Sequence, residues 1–392
     1  MRIGINASFL RKQNTGIGQA TANFIKKLAE FRISNFEFRN KEVEFILYLE
    51  EKLPKNIKLP KNFKKCVFLP LYKRDDLIRK IWWEKILLPK KLKEDNCDIL
   101  LSLYQSTTIQ SRKEGKHIMI VHDIIPKLFP QYLSNSRKKI YQSLVEKAIK
   151  RADKIIAVSH RTEKDLIQHL GIDPKKISIS NIDVDEIYKH KVSTSENQKV
   201  LKKYKLKPGY MYNGGGLEVR KNTENVLRAY KFLWDKYNQP DWLPKLVISG
   251  KLIPRLAPLV TDAEKLIREL NISDRVKLLD YVPQEYLPAL YNNAALFIYP
   301  SFYEGFGLPV LEAMNQGVPV ITSKTSSLPE IGSDAVLYCN PNDIEDIAMV
   351  MRNFLNSDHL KTTLLVKGKE RANNFLWEKF VKKVFNIMEN LK

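Results

Sequence analysis

The order of the apolar segments restricts this chain more than any other feature. Short apolar runs recur at 43–48, 99–103, 118–121, 155–158, 246–248, 296–299 and 318–321. Between them lie stretches with apolar residues at helical spacing, for example 19–31, 137–152 and 263–270. Short strands alternating with helices fold as parallel sheets wound by crossover helices. With 392 residues the chain exceeds one comfortable core, so two such domains are expected. The stretch 189–199 is polar and lacks clear periodicity. It places a boundary between an α/β, Rossmann-like domain at 1–195 and a second at 205–375, with a helix at 376–392 crossing back to the first.

Composition narrows the function classes. The hydrophobic fraction of 44% supports packed cores rather than disorder. Cys66, Cys97 and Cys339 are widely separated, with neither metal-type spacing nor a disulfide framework. Met1-Arg-Ile-Gly-Ile-Asn6 reads as a short buried strand, not a signal peptide, and no run is long enough to span a bilayer. A cytoplasmic protein is expected, soluble or peripheral on the inner membrane face. The net charge is +22 and uneven: residues 1–200 hold 40 Lys+Arg against 23 Asp+Glu. Such a field attracts phosphates, anionic lipid or nucleic acid without choosing among them, and a general lysine bias explains part of it.

The segment Tyr303-Glu-Gly-Phe-Gly-Leu-Pro-Val-Leu-Glu312 follows an apolar strand. Pro309 suits a first helical turn. The amides of Phe306, Gly307 and Leu308 then lie at a helix N-terminus, which favours anions. Glu304 and Glu312 offer acceptors suited to sugar and ribose hydroxyls, or else merely complement the helix dipole. A second glycine turn, Gly214-Gly-Gly, runs into Arg220 and Lys221, a basic pair able to neutralise a diphosphate or to lie solvated at a helix start. In the first half, Gly16 and Gly18 precede a long helix, and His122-Asp123 ends a strand. The carboxyl ends of parallel strands are where such folds place functional groups. Asp123 could orient the His122 ring or satisfy local amides.

These motifs resemble the family-4 retaining glycosyltransferases of the GT-B fold. The resemblance is carried by Asp280-Tyr-Val-Pro, Leu290-Tyr, the run from Tyr299 to Met314, Gly317-Val-Pro-Val, Ser327-Leu-Pro-Glu-Ile, Gly332 and Asn340-Pro341. It covers nearly the whole chain and is stronger in the C-terminal half. It implies an N-terminal acceptor-side domain and a C-terminal domain holding a nucleoside-diphospho-sugar as co-substrate, with no other cofactor. Glu304 is then expected on the donor sugar, Glu312 on the ribose, His122 at the reaction centre, and Gly16 and Gly18 beside the donor phosphates. The arginine that many members carry directly after the first glycine is absent from Gly214-Gly-Gly, leaving Arg220 and Lys221 to carry more charge. Ser159 matches a Val-Ser element and is read as structural.

The resemblance further implies a hexose donor, GDP-mannose favoured, and a glycan or lipid-linked glycan acceptor in bacterial surface polysaccharide synthesis. Asp183-Val-Asp185 imitates a metal-binding motif of another fold and is read as a decoy, and no metal is expected. Arg79, Lys80, Trp82, Trp83 and Lys85, within the basic run 73–93, are candidates for acceptor or anionic-membrane contact. A core helix with solvated lysines is the alternative. An epimerase or phosphorylase on the same fold, and a nucleic-acid-binding protein, are the rival readings, though no nucleic acid is expected.

Overall fold

The computed structural model describes residues 1–30, 43–54, 57–70, 75–111, 113–253 and 256–391. The chain divides into two compact units, Met1–Asp183 with Leu376–Lys392, and Val184–Phe375.

Among the described residues the first unit is built on seven parallel strands: β1 (Arg2–Asn6), β2 (Glu44–Leu49), β3 (Phe63–Val67), β4 (Ile99–Ser102), β5 (Lys116–Val121), β6 (Lys154–Ala157) and β7 (Ile177–Ile179). Their order is β3-β2-β1-β4-β5-β6-β7. The order reverses between β1 and β4, so the loops after those strands diverge and leave a crevice. β4 is buried throughout and β6 is buried beyond the half-buried Lys154, as sheets covered on both faces require. Helix Gly16–Glu30 covers β1 and carries the C-terminal helix Trp377–Glu389, through Phe24 against Phe380 (5.9 Å between centroids) and Lys27 against Glu378 (2.8 Å).

The second unit repeats the plan with six strands among its described residues: β8 (Tyr210–Asn213), β9 (Leu246–Ser249), β10 (Val276–Leu279), β11 (Ala294–Tyr299), β12 (Val320–Ser323) and β13 (Leu337–Cys339). The order is β10-β9-β8-β11-β12-β13, all parallel, with the reversal between β8 and β11. Both units therefore have the Rossmann-like α/β architecture of the GT-B fold.

Two expectations need correction. The first unit ends at Asp183, not 195, because residues from Val184 onward pack into the second. Tyr188 is fully buried, its ring 6.1 Å from that of Tyr291, and its carbonyl accepts from Gln316 Nε2 at 2.7 Å. The polar stretch that suggested a linker contains helix Thr194–Tyr204, closed by a capping box in which Ser193 Oγ accepts from Glu196 N and Glu196 from Ser193 N.

The second correction concerns the basic run. Lys73 and Arg74 lie outside the described residues, and the chain beyond Asp75 forms Asp76–Trp82, a π-turn at Trp83–Leu87, and Leu88–Glu94. Trp83 is fully buried, stacked on Phe68 at 5.0 Å with its Nε1 donating to the Phe68 carbonyl. Arg79 is paired with buried Glu50 at 3.1 Å, and Lys80 faces inward beside Glu84. The helix buries one face, and the long basic side chains on that face find carboxylates there. Only Trp82 and Lys85 of the five candidates are exposed.

Candidate active site

In the second unit the site forms where β8 and β11 diverge. Asn213, the last residue of β8, donates from Nδ2 to the Ile298 carbonyl at 2.7 Å and accepts from Thr223 Oγ1 at 3.0 Å. It ties the two strands at the reversal point. The chain then passes Gly214-Gly-Gly and a 3-10 turn, Val219–Lys221, into helix Thr223–Lys236. Lys221 Nζ bonds the Gly215 carbonyl and pairs with Glu218 at 2.9 Å. Burial pushes the Glu218 carboxyl up, but Lys221 and Arg220 outweigh it and hold it below the usual range. Asn222, in the left-handed region at φ 64°, donates to the carbonyls of Pro300 and Pro341 and so fixes the helix start against the ends of two strands.

Arg220 crosses to the turn after β11. Its Nη1 donates to Glu304 Oε1 at 2.6 Å and to the Tyr303 carbonyl at 2.9 Å. Its own carbonyl accepts from Phe302 N and Ser301 Oγ. Glu304 Oε1 also accepts from the Tyr299 hydroxyl at 2.6 Å and from Ser301 Oγ at 3.1 Å. Three residues thus converge on one carboxylate oxygen, and the Arg220 and Glu304 side chains are only 13% and 11% exposed. In such a setting the charge pair is held in one geometry and is costly to break.

Helix Leu308–Asn315 opens immediately beyond. Gly307 caps it at φ 122°, and a Cβ there would lie 2.9 Å from Leu328 Cδ2, so backbone and packing both demand glycine. Pro309 sits in the first turn. Ser327 Oγ, donating toward the carbonyls of Glu304 and Phe306, pins the turn from behind. The first amides of the helix have no intrahelical acceptor and carry its positive dipole end, so Phe306, Gly307 and Leu308 line a place suited to an anion. Glu312, one turn in, is buried and accepts from the Tyr291 hydroxyl at 2.9 Å. Burial raises its carboxyl to about 7 against the opposing pull of Tyr291, Tyr188 and Lys221. The second unit therefore brings Arg220, Lys221, Glu304, Glu312 and the helix start to one end of one sheet.

Gly16, Gly18, His122 and Asp123 belong to the first unit. A Cβ at Gly18 would meet the Lys12 carbonyl oxygen at 1.9 Å, so this glycine is required by the close approach of helix Gly16–Glu30 to the preceding turn. His122 is buried at the end of β5, with Nε2 donating to the Leu103 carbonyl at 3.0 Å. Burial lowers its pKa to about 4, so the ring is neutral and protonated on Nε2. Asp123 Oδ1 accepts from Ile125 N at 2.9 Å, the local role open to it. Ser159 caps helix His160–Leu170 through Thr162 N. Among the described residues no group of three or more His, Cys, Asp or Glu is placed to hold a metal.

Comparison with known proteins bears on this geometry directly. The family model described as Glycosyl transferases group 1 matches residues 194–371, and that of Glycosyltransferase Family 4 matches residues 42–180. The O-antigen chain mannosyltransferase B of Escherichia coli is 33% identical over 273 residues, 69% of either chain. This chain belongs to the group 1 glycosyltransferases. A serotype-specific mannosyltransferase WbdA of Escherichia coli is 31% identical over 67% of this chain but only 32% of its own length, so the match spans about a third of that larger protein. The sucrose-phosphate synthase of Thermosynechococcus elongatus shares the fold, with a TM-score of 0.74 over 100% of this chain and 99% of that one at 17% identity. Nothing in these likenesses supports an epimerase, a phosphorylase or a nucleic-acid-binding protein.

As a glycosyltransferase the chain has more to its site than its motifs announced. Tyr299 and Ser301 hold Glu304, Asn222 holds the basic turn, and Tyr291 holds Glu312. Tyr299 and Ser301 flank the glycine turn and were within reach of a sequence argument, since a hydroxyl beside a carboxylate in a strand-end turn is a natural partner. Tyr291 lies 21 residues from Glu312, and no local signal joins them.

Proposed function

We propose that this glycosyltransferase moves a mannosyl residue from a nucleoside-diphospho-mannose to a glycan or lipid-linked glycan acceptor in surface polysaccharide synthesis, with retention of configuration and without a metal ion. The sugar and the pathway are supported by the relatives, which are named as O-antigen chain and serotype-specific mannosyltransferases. The observation that carries the chemistry is the convergence of Arg220 and Lys221 with the helix start at Gly307. Two cations and an N-terminal dipole end stabilise the charge that develops on a departing diphosphate, the task a divalent metal would otherwise perform. Glu304 receives donor-sugar hydroxyls and Glu312 the ribose. In a front-face route, the acceptor oxygen forms its bond to C1 on the side from which the phosphate leaves. The acceptor proton passes to the leaving phosphate oxygen, which accounts for retention without a protein nucleophile.

The test is transfer from GDP-mannose, followed by NMR of the anomeric configuration formed. An inverted product, or no transfer from any nucleoside-diphospho-hexose, would overturn the reading. EDTA in excess is expected to leave the rate within about twofold, because Arg220 and Lys221 supply the positive charge. Loss of turnover on chelation, restored by a divalent ion, would show that a metal takes part.

The same reading places the protein against the inner membrane face. No helix among the described residues is long and apolar enough to cross a membrane. An exposed helical face carries Trp82 (37% exposed) and Ile86 (57%) with Lys85 between them, while Val67 and Leu69, exposed as well, flank the half-buried Phe68 that stacks on Trp83. Aromatic and aliphatic tips among lysines suit an anionic interface, each basic residue contributing roughly 1 kcal/mol. Sedimentation with anionic liposomes is expected to fall as salt rises, and to fall further when Trp82, Lys85 and Ile86 are replaced by Ser, Gln and Ser. Equal sedimentation of parent and variant would remove this surface from the account.

A further inference from the structure

Among the described residues, side chains other than glycine with a positive φ gather where helices end. Lys205 and Ser333 are C-caps, and Asn96, Asn238, Gln239 and Asn271 follow one. A residue turned this way closes the last helical turn, so its conformation needs no other cause. Two lie elsewhere. Asn222 and Ser326 both precede helices, in the loops after β8 and β12 of the second unit. Asparagine tolerates this region, and Asn222 is anchored on the carbonyls of Pro300 and Pro341. Serine has no such tolerance, because its Cβ crowds the carbonyl oxygen. Ser326 nevertheless holds φ at 53°. A side chain kept in such a conformation is held there by its surroundings, and such residues concentrate at functional sites.

What holds Ser326 is the turn that carries Glu304. Its Oγ accepts from Glu304 N at 2.9 Å. The rest of the loop reaches for the same turn. Ser323 Oγ and Thr325 Oγ1 both donate to the Ser301 carbonyl, and Ser327 Oγ is directed to the carbonyls of Glu304 and Phe306. Hydroxyls from one loop therefore grip the turn at 301, 304 and 306. Ser326 is the one of the four that receives a backbone N–H, and the one that is bent into the left-handed region to do so. The Glu304 side chain leaves the backbone one atom from that amide. Fixing the N–H fixes the direction of the side chain, which then meets Arg220, Tyr299 and Ser301 in a single place. Glycine follows at 305 and again at 307, so the turn has little stiffness of its own.

We propose that Ser326 is a positioning residue of the transfer reaction. It adopts the left-handed conformation so that its hydroxyl fixes the Glu304 amide, and through it the carboxylate, before the donor sugar arrives. The role rests on the reading that Glu304 acts on that sugar; the hold on the turn does not.

Ser326→Gly and Ser326→Ala both remove the hydroxyl, but only glycine relieves the backbone. Stability and activity should therefore part. Ser326→Gly is expected to melt above Ser326→Ala, while both lose about tenfold in kcat for transfer from GDP-mannose, as a displaced contact group does. GDP affinity by titration calorimetry should stay within about twofold of the parent in both, since GDP lacks the sugar that Glu304 is expected to touch. Ser326→Gly combined with Glu304→Gln should be no slower than Glu304→Gln alone. Hydrogen-exchange mass spectrometry on peptides spanning residues 301–307 reads the turn without turnover, and exchange there should be about tenfold faster in both variants. A loss of kcat that follows melting temperature and not the hydroxyl would overturn the proposal. So would unchanged exchange, lost GDP affinity, or a double variant slower than Glu304→Gln. If Glu304→Gln is slow and Ser326→Gly turns over like the parent, the role of Ser326 falls and that of Glu304 stands. If Glu304→Gln is itself as fast as the parent, the reading of Glu304 falls and takes the role of Ser326 with it.

Discussion

Glu304→Gln is expected to lower kcat/KM for sugar transfer by a factor on the order of 100 to 1000, the range seen when one preorganised polar contact is removed from a reaction centre. Gln is the informative replacement. Glu304 Oε1 accepts from Arg220, Tyr299 and Ser301, and an amide oxygen in the same place can still accept from all three. What disappears is the negative charge and the second acceptor oxygen. Glu304→Ala would instead strand Arg220 with an unbalanced charge in a poorly hydrated turn, at a cost of about 3–5 kcal/mol in stability. Its inactivity would then say little about chemistry. The measurement is steady-state transfer from GDP-mannose by the Gln variant, with circular dichroism and a melting curve to show that it is folded. Turnover within about threefold of the parent in a folded protein would mean that the carboxylate does not act on the donor, since removing even a hydrogen bond to a charged group costs more.

The legibility of this site in the sequence follows the distance over which each contact is made. The stretch from Tyr299 to Glu312 is contiguous, and strand, turn and helix each leave a local mark: apolar β11, the glycines at 305 and 307, and Pro309. Glu304 and Glu312 could be placed because they sit at fixed offsets from those marks. The pairing of Arg220 with Glu304 spans 84 residues and appears only when the loops after β8 and β11 meet at the strand-order reversal. The tyrosines around Glu312 come from separate segments for the same reason.

The basic run failed differently. Lysines and arginines look alike in composition whether they are solvated or turned inward, and the π-turn at Trp83–Leu87 left no mark that periodicity could detect. Glu50, the partner of Arg79, lies 29 residues earlier at the end of a different element. The capping box at Ser193 is the opposite case. Its Ser-x-x-Glu spacing is a local signal, overlooked because the polar residues around it read as a linker.

Arg220→Met is expected to weaken binding of GDP by a factor on the order of 100, the loss of charge-assisted hydrogen bonds to a diphosphate. The substitution is clean at the backbone, because Phe302 N and Ser301 Oγ bond the Arg220 carbonyl, not its side chain. Two routes could produce an activity loss at this position. Arg220 could contact the diphosphate itself, or it could act only by holding Glu304, to which it donates at 2.6 Å. Titration calorimetry with GDP separates them, since GDP lacks the sugar that Glu304 is expected to touch. If Arg220 binds phosphate, Arg220→Met loses GDP affinity and Glu304→Gln keeps it. Arg220→Lys should recover only part, because an ammonium restores the charge without the planar fork. A double-mutant cycle on transfer rates adds the second half. If Arg220 serves only to position Glu304, the double variant is no slower than Glu304→Gln alone. If it also stabilises the departing diphosphate, the double variant is slower by a further factor of about 10 or more, as expected for a donor aimed at developing charge. Unchanged GDP affinity in Arg220→Met, together with a double variant equal to Glu304→Gln, would reduce Arg220 to a positioning residue and leave Lys221 and the helix start at Gly307 to hold the diphosphate.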